Sequence, residues 1–248
     1  LGQMYGYITE GLYQVSDFDY DATTQTYTLK DGIPYAGDKA NVKPGMWKFK
    51  NVDGSEDNKI TEEDKTVIGN AYPKFYGGIN NTFTYKDFDL SIFLTYSFGN
   101  DVLNATKLTN TKTALQNKNV LAAADSHNRW VLVNKSGELI TDPQEMAEIN
   151  RGKTVAAIYD NEVGDTYIHS WAVEDGSFLK LSNITLGYTF PVNISRKALM
   201  EKCRIYATAY NPFIYVKDKQ LKGTDPETNG SDAFPTFRQF VFGVNLTF

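Results

Sequence analysis

From residue 74 to residue 99 the chain reads KFYGGINNTFTYKDFDLSIFLTYSFG, and every second position falls into one of two sets. Phe75, Ile79, Phe83 and Tyr85 form the apolar set of the first arm, interrupted at Gly77 and Asn81. After a tight reversal at Lys86 and Asp87 the apolar set resumes with Phe88, Leu90, Ile92, Leu94, Tyr96 and Phe98. Asn80, Thr82, Thr84, Asp89, Ser91, Thr95 and Ser97 make up the opposite set. Alternation with period two predicts β-strands, because successive strand side chains point to opposite faces. A strand of a globular sheet runs ~5–6 residues, whereas these arms have the roughly 9–11 residues that cross a bilayer when tilted. Aromatic residues near the ends of the apolar set suit a lipid-facing band with aromatic girdles. A long hairpin of a soluble sandwich is the competing reading of this stretch.

The same alternation returns at 177–191 through Ile184, Leu186, Tyr188 and Phe190, and at 237–248 through Phe240, Phe242, Val244, Leu246 and Phe248. The stretch 202–216 is rich in β-branched and aromatic residues, although its faces are ambiguous from sequence. Residues 1–45 hold short alternating pieces at 4–8 and 25–29, and 44–52 reads as a short strand entering an acidic turn. Helical patches are expected at 113–130 and around 143–150.

Connections between the long strands alternate in length: 86–87 is short, 99–176 very long, 191–202 short and 217–236 long. Outer-membrane barrels sort their connections in this way, with short periplasmic turns and long extracellular loops. The expected fold is therefore all-β, the C-terminal segment of a large antiparallel transmembrane β-barrel with long extracellular loops. Its expected division is an extracellular loop region with short strands over 1–73, and the last barrel strands over 74–248 with outer loops at 99–176 and 217–236. The acidic turn would face outside the cell, and the 86–87 turn and Phe248 the periplasm. Five strands cannot close a barrel, which needs about eight, and open sheet edges are not tolerated in lipid. That deficit, with an opening LGQMYGYITEGLYQ that carries neither an initiator Met nor a basic-apolar leader, makes the chain read as the end of something longer.

Composition narrows the picture. A net charge of −5 excludes a nucleic-acid partner, since neutralising phosphates takes clustered Lys and Arg. The mean hydropathy of −0.41 is compatible with a barrel, because a transmembrane strand is apolar on one face only. One cysteine, Cys203, precludes an intrachain disulfide, and neither His127 nor His169 stands in a ligand-spaced motif. A spanning helix is excluded, for no apolar run approaches ~18 residues.

The acidic turn DGSEDNKITEED (53–64) has the spacing of an EF-type calcium loop. Asp53, Ser55, Asp57, Lys59 (through its carbonyl), Thr61 and Asp64 fall at the ligand positions, and Asn58 sits where the loop turns sharply. Oxygen donors at alternating positions suit a hard cation such as Ca²⁺. Asp at the last position, where a bidentate Glu is usual, and the absence of flanking helical patterns make the match partial. A solvated acidic turn is the plain alternative.

YGYITEGLYQ, PGMWKFKNVDGSEDNKITEEDKTVIGNAYPKFYGGINNTFTYKDFDLSIFLTYSFGNDVLN, WAVEDGSFLKLSNITLGYTFP, RIYATAYNPF, GTDPET and FGVNLTF occur in that order. Together they resemble the C-terminal portion of SusC/RagA-type TonB-dependent transporters of Bacteroidetes outer membranes. The resemblance implies a 22-stranded barrel, an N-terminal plug, a TonB box that engages TonB, a SusD-like surface lipoprotein, and import of oligosaccharides or peptides. Where the family reads D-x-N-G-D-G, this chain has Ser55, Glu56 and Asn58, which weakens the calcium reading. GTDPET matches the family's GxDPE motif and is read as loop structure. Phe248 resembles a C-terminal signal for barrel assembly.

No catalytic residue is expected. Trp130, Tyr159, Tyr167 and Trp171 are candidates for contacts with substrate or partner, against the plainer role of a loop's own hydrophobic cluster. The competing functions are a secreted all-β carbohydrate-binding module stabilised by calcium, and a glycosidase using carboxylates such as Glu62, Asp64 or Asp165. The latter lie in loops without a partner at defined spacing.

Overall fold

A computed structural model of the protein describes residues 2–111, 121–125, 127–159, 167–221, 225–228 and 236–248. The chain divides into two compact units. One comprises 3–69 and 103–173, the other Gly2, 70–102 and 174–248.

The second unit is built on a five-stranded antiparallel sheet. Its strands are β1 (Phe75–Tyr85), β2 (Phe88–Phe98), β3 (Phe178–Thr189), β4 (Lys202–Val216) and β5 (Gln239–Thr247). Spatial order follows chain order, β5-β4-β3-β2-β1. Lys86 opens the tight turn between β1 and β2 at φ 53°, a left-handed conformation that a two-residue hairpin demands.

Register aligns the apolar sets across all five strands. Leu90 faces Phe83 on one side and Leu186 on the other. Leu186 in turn faces Ala207, which faces Phe242. The phase of β3 slips, since its apolar residues are Leu179 and Leu181, then Ile184, Leu186 and Tyr188. A bulge at Ser182 absorbs the slip, because Phe93 pairs with Asn183 while Leu94 pairs with Leu181. Without that extra residue half of β3 would turn its apolar side chains to the wrong face. Pairing also settles the faces of β4, placing Ile205, Ala207, Ala209, Phe213 and Tyr215 on the apolar side. Asn211, at φ 49°, marks the irregularity opposite the bulge. On the apolar face Phe83, Leu186, Phe242 and Val244 are exposed to a degree unusual for such residues, Phe242 reaching 81%.

The first unit is a set of short pairs over a hydrophobic core. Strand Thr9–Leu12 pairs with Trp47–Phe49, and Phe18–Asp21 with Thr26–Leu29. Tyr7, Phe49, Trp47, Trp130, Ile140 and Met146 form its main core, and Tyr13, Phe18, Leu29 and Val42 a smaller one. Helix Pro143–Ile149 is capped by Asp142, which accepts from the N–H groups of Gln144 and Glu145, with Pro in the first turn. This is the helix expected around 143–150. Much of the patch expected at 113–130 lies outside the described residues, and its described part holds only a 3₁₀ turn, Ala122–Ala124. A helix over Ala105–Asn110, capped by Asn104, carries no clear pattern in the sequence. No described helix is long and apolar enough to cross a membrane.

Candidate functional site: the polar face of the wall and the loop aromatics

The face of the sheet opposite the apolar one is polar and cross-linked. Arg204 on β4 reaches over β3 to Asp89 on β2, donating from Nε at 2.9 Å and from Nη2 at 2.5 Å. Gly187 lies directly beneath, and a Cβ there would stand 2.5 Å from Asp89 Oδ1. The glycine is what lets a bidentate pair join strands that are not neighbours. Next to it the Tyr206 ring covers Gly243, and the Arg204 guanidinium lies 5.2 Å from the centre of that ring. Hydroxyl pairs continue the polar face, Thr95 with Ser182 at 2.7 Å and Thr185 with Thr208 at 2.8 Å.

At the other end of β3, Lys180 donates to Asp225 at 2.8 Å and to Glu227 at 2.7 Å. Both acids belong to the GTDPET segment. Thr236 donates to the same Asp225 oxygen at 2.7 Å, and the Glu227 N–H donates to Asp225 Oδ1 at 3.0 Å. Burial pushes the Asp225 carboxyl up, yet the Lys180 ammonium and the Thr236 hydroxyl more than offset it and hold the carboxyl below its ordinary range. The motif thus anchors loop to wall, as expected of loop structure.

The acidic turn shows its own logic. Asn58 takes φ 55°, the left-handed conformation foreseen for its position. Asp53 accepts from the Ser55 N–H at 2.8 Å and Asp57 from the Lys59 N–H at 3.0 Å. Thr61 caps a 3₁₀ turn over Glu62–Asp64. Asp64 is fully buried and accepts from the N–H groups of Val52 (2.7 Å), Asp53 (3.4 Å) and Thr61 (2.8 Å). Its carboxylate closes the turn on itself by satisfying backbone donors. Among the described residues no group of three or more His, Cys, Asp or Glu is placed to hold a metal ion.

The four loop aromatics all lie in the first unit. Trp130 is 2% exposed and part of the main core, so its indole surface is spent on packing. Tyr159 donates to the Pro44 carbonyl at 2.9 Å and carries the Lys43 ammonium 5.3 Å from its ring centre. Tyr167 stacks on Tyr7 at 4.3 Å. Trp171 packs against Trp47 at 5.0 Å, with the Lys107 ammonium 4.2 Å from its ring centre. Burial, then the charges of Tyr167 and Glu62, push the Tyr7 hydroxyl well above the usual tyrosine range. The structure brings Tyr167 and Trp171 to one aromatic cluster around His169, which has 2% exposure, and leaves Trp130 inside. His169 stands in no ligand-spaced motif, and nothing in its sequence neighbourhood marks it as a core residue. Its burial, and the Asp89–Arg204 pair, had no local signal.

A long-stranded antiparallel sheet with one exposed apolar face and one cross-linked polar face is a section of a transmembrane β-barrel wall. Comparisons with known proteins carry this further. The whole chain aligns at 27% identity over 263 residues with TonB-dependent receptor P3 of Formosa agariphila, of which it covers 22%. It aligns at 29% over 202 residues with TonB-dependent receptor SusC of Bacteroides thetaiotaomicron, covering 79% of this chain and 17% of that receptor. In shape, 99% of the chain matches 23% of a chain in the structure of the RagAB peptide transporter, with a TM-score of 0.62 and 19% identity. No family profile matches the chain. The resemblance to SusC/RagA-type TonB-dependent receptors is thereby borne out, and the chain corresponds to the C-terminal portion of these large proteins. It spans between 17% and 25% of the length of the curated relatives it matches. Those relatives are receptors and transporters rather than enzymes, and they are outer-membrane β-barrel proteins.

Proposed function

We propose that the chain forms the closing section of an outer-membrane, TonB-dependent nutrient importer. In this reading the receptor takes up oligosaccharides or peptides together with a SusD-like surface lipoprotein, and TonB engages a part of the receptor outside this chain. The observation that carries the reading is the row of large exposed apolar side chains across β1–β5, backed by a polar face. In water such a face is an aggregation hazard, whereas in lipid it stabilises the wall. A secreted carbohydrate-binding module would turn the same residues inward, and its sheet would have a second sheet packed on it. Within the second unit, the rim carrying the 86–87 and 191–202 turns faces the periplasm, and the rim from which 217 departs faces outward.

Deleting the gene and growing the strain on single oligosaccharides or peptides as sole nutrient tests the import reading. Loss of growth on one nutrient class, matched by loss on removing TonB, is the expected result. Unchanged growth on every nutrient, with the protein in the soluble fraction, would overturn it. Topology is checked on intact cells carrying the full receptor, where Lys219→Cys is expected to react with an impermeant maleimide and Asp87→Cys is not.

A further inference from the structure

Within the first unit lies a cavity of about 470 Å³ that neither the wall nor the aromatic cluster around His169 uses. That volume is within the ~300–1,000 Å³ range of ligand pockets. Its walls are Tyr20, Tyr27, Tyr159, Leu132, Leu139 and Met146. Tyr20 and Tyr27 are opposite one another on the Phe18–Asp21/Thr26–Leu29 hairpin, with ring centres 4.8 Å apart at 45°. They make a wedge rather than a flat platform. Tyr20 is pinned by donating to the Thr141 carbonyl at 2.8 Å, and Tyr159 by its bond to Pro44. The Tyr27 hydroxyl is buried and has no hydrogen-bond partner among the described residues. Leu139, by contrast, is 70% exposed, an apolar side chain left uncovered at the cavity wall. Gln25, Thr26 and Lys43 also line the cavity and bring its polar groups.

The chemistry of the lining selects the ligand. A sugar ring could pair some hydroxyls with Gln25, Thr26, Lys43 and Tyr27, but those turned to Leu132, Ile140 and Met146 would be left unpaired at a cost of roughly 1–3 kcal/mol each. An aliphatic side chain buries its whole surface there, and Met adapts to its shape. Among the described residues no third strand pairs with either edge of the hairpin that carries Tyr20 and Tyr27, and an unpaired strand edge is a template for an extended peptide backbone. We propose that this cavity is a binding site for a peptide, taking one aliphatic side chain such as leucine. The site does not depend on the import reading, since a receptor that transports nothing can still bind at it.

The test uses the full receptor in detergent and calorimetric titration with acetyl-Ala-Ala-Leu-Ala-Ala-amide, its all-alanine counterpart, and maltohexaose. The leucine peptide is expected to bind about tenfold more tightly than the alanine peptide, the value of burying the larger side chain. Leu132→Trp, which fills the cavity, is expected to abolish that preference. Leu139→Asp, at an exposed position where folding is not at stake, is expected to lower leucine-peptide affinity at least about fivefold, the loss of part of one apolar contact. Equal binding of the two peptides, binding of maltohexaose in competition with the leucine peptide, or a leucine-peptide affinity that Leu139→Asp leaves unchanged would each overturn the proposal.

Discussion

The two units put large apolar side chains in opposite places. In the first, Tyr7, Phe49, Trp47, Trp130 and Met146 are inside, and Phe49 has no exposed surface. In the second, Phe83, Leu186, Phe242, Val244 and Leu246 are outside, while Ser177, Lys180 and Thr208 are buried. Both obey the same physics, burial of apolar surface away from water. The difference is where the water is, so each unit reports the medium it meets. The first closes on a core of its own, and the second is a wall section whose large apolar side chains stay uncovered.

Substitutions can break this contrast. Phe49→Ala removes the centre of the first unit's core and is expected to cost about 3–5 kcal/mol. Phe242→Ala, on the wall, is expected to leave the first unit's unfolding unchanged in the same urea titration of the refolded receptor. Leu186→Arg is the converse. It is expected to destabilise the receptor in lipid vesicles by roughly 2–4 kcal/mol, since an arginine on the lipid face of a barrel is penalised by that much near mid-membrane. Gel mobility before and after heating reads the loss of folded barrel. Equal stability of Leu186→Arg and its parent would remove the lipid-facing assignment.

Smaller effects test the polar devices. Gly187→Ala forces Asp89 and Arg204 apart and is expected to cost about 1 kcal/mol, the upper scale of a partly exposed ion pair; Gly187→Ala combined with Asp89→Ala and Arg204→Ala should recover most of the steric part. Asp64→Ala orphans three backbone N–H groups in the acidic turn and is expected to cost about 1–3 kcal/mol, the scale of an unsatisfied buried group, read as a fall in Tm of the first unit. Millimolar Ca²⁺ is expected to leave that Tm unchanged, and a rise would instead return the carboxylates of 53–64 to the role of ligands.

The smallest effect is pH-dependent. The folded-state value of Asp225 is depressed, so its anchoring is complete above the ordinary carboxylate value of ~3.9 and is lost as pH falls through the lower folded value. Hydrogen exchange at the Glu227 amide, bonded to Asp225, is expected to stay protected from pH 7 down to about 4 and to open below it. Lys180→Met should abolish that protection at every pH.

Alternation determined four of the long strands to within a few residues, with their apolar faces and the hairpin turn at 86–87, and β-branched and aromatic content marked the fifth, because both are local properties written residue by residue. The spacing of the acidic turn marked Asn58 as the residue at its sharp bend, and the family resemblance marked GTDPET as loop structure. Tertiary pairing decided the rest. The faces of β4 and the bulge at Ser182 depend on register between strands. Arg204 meets Asp89 across Gly187 only because three strands bring together residues distant in sequence. Asp64 turns inward to backbone donors, and Trp130 enters the core, because segments 3–69 and 103–173 pack as one body. No short window of sequence holds both halves of such contacts, and so only the folded chain could reveal them.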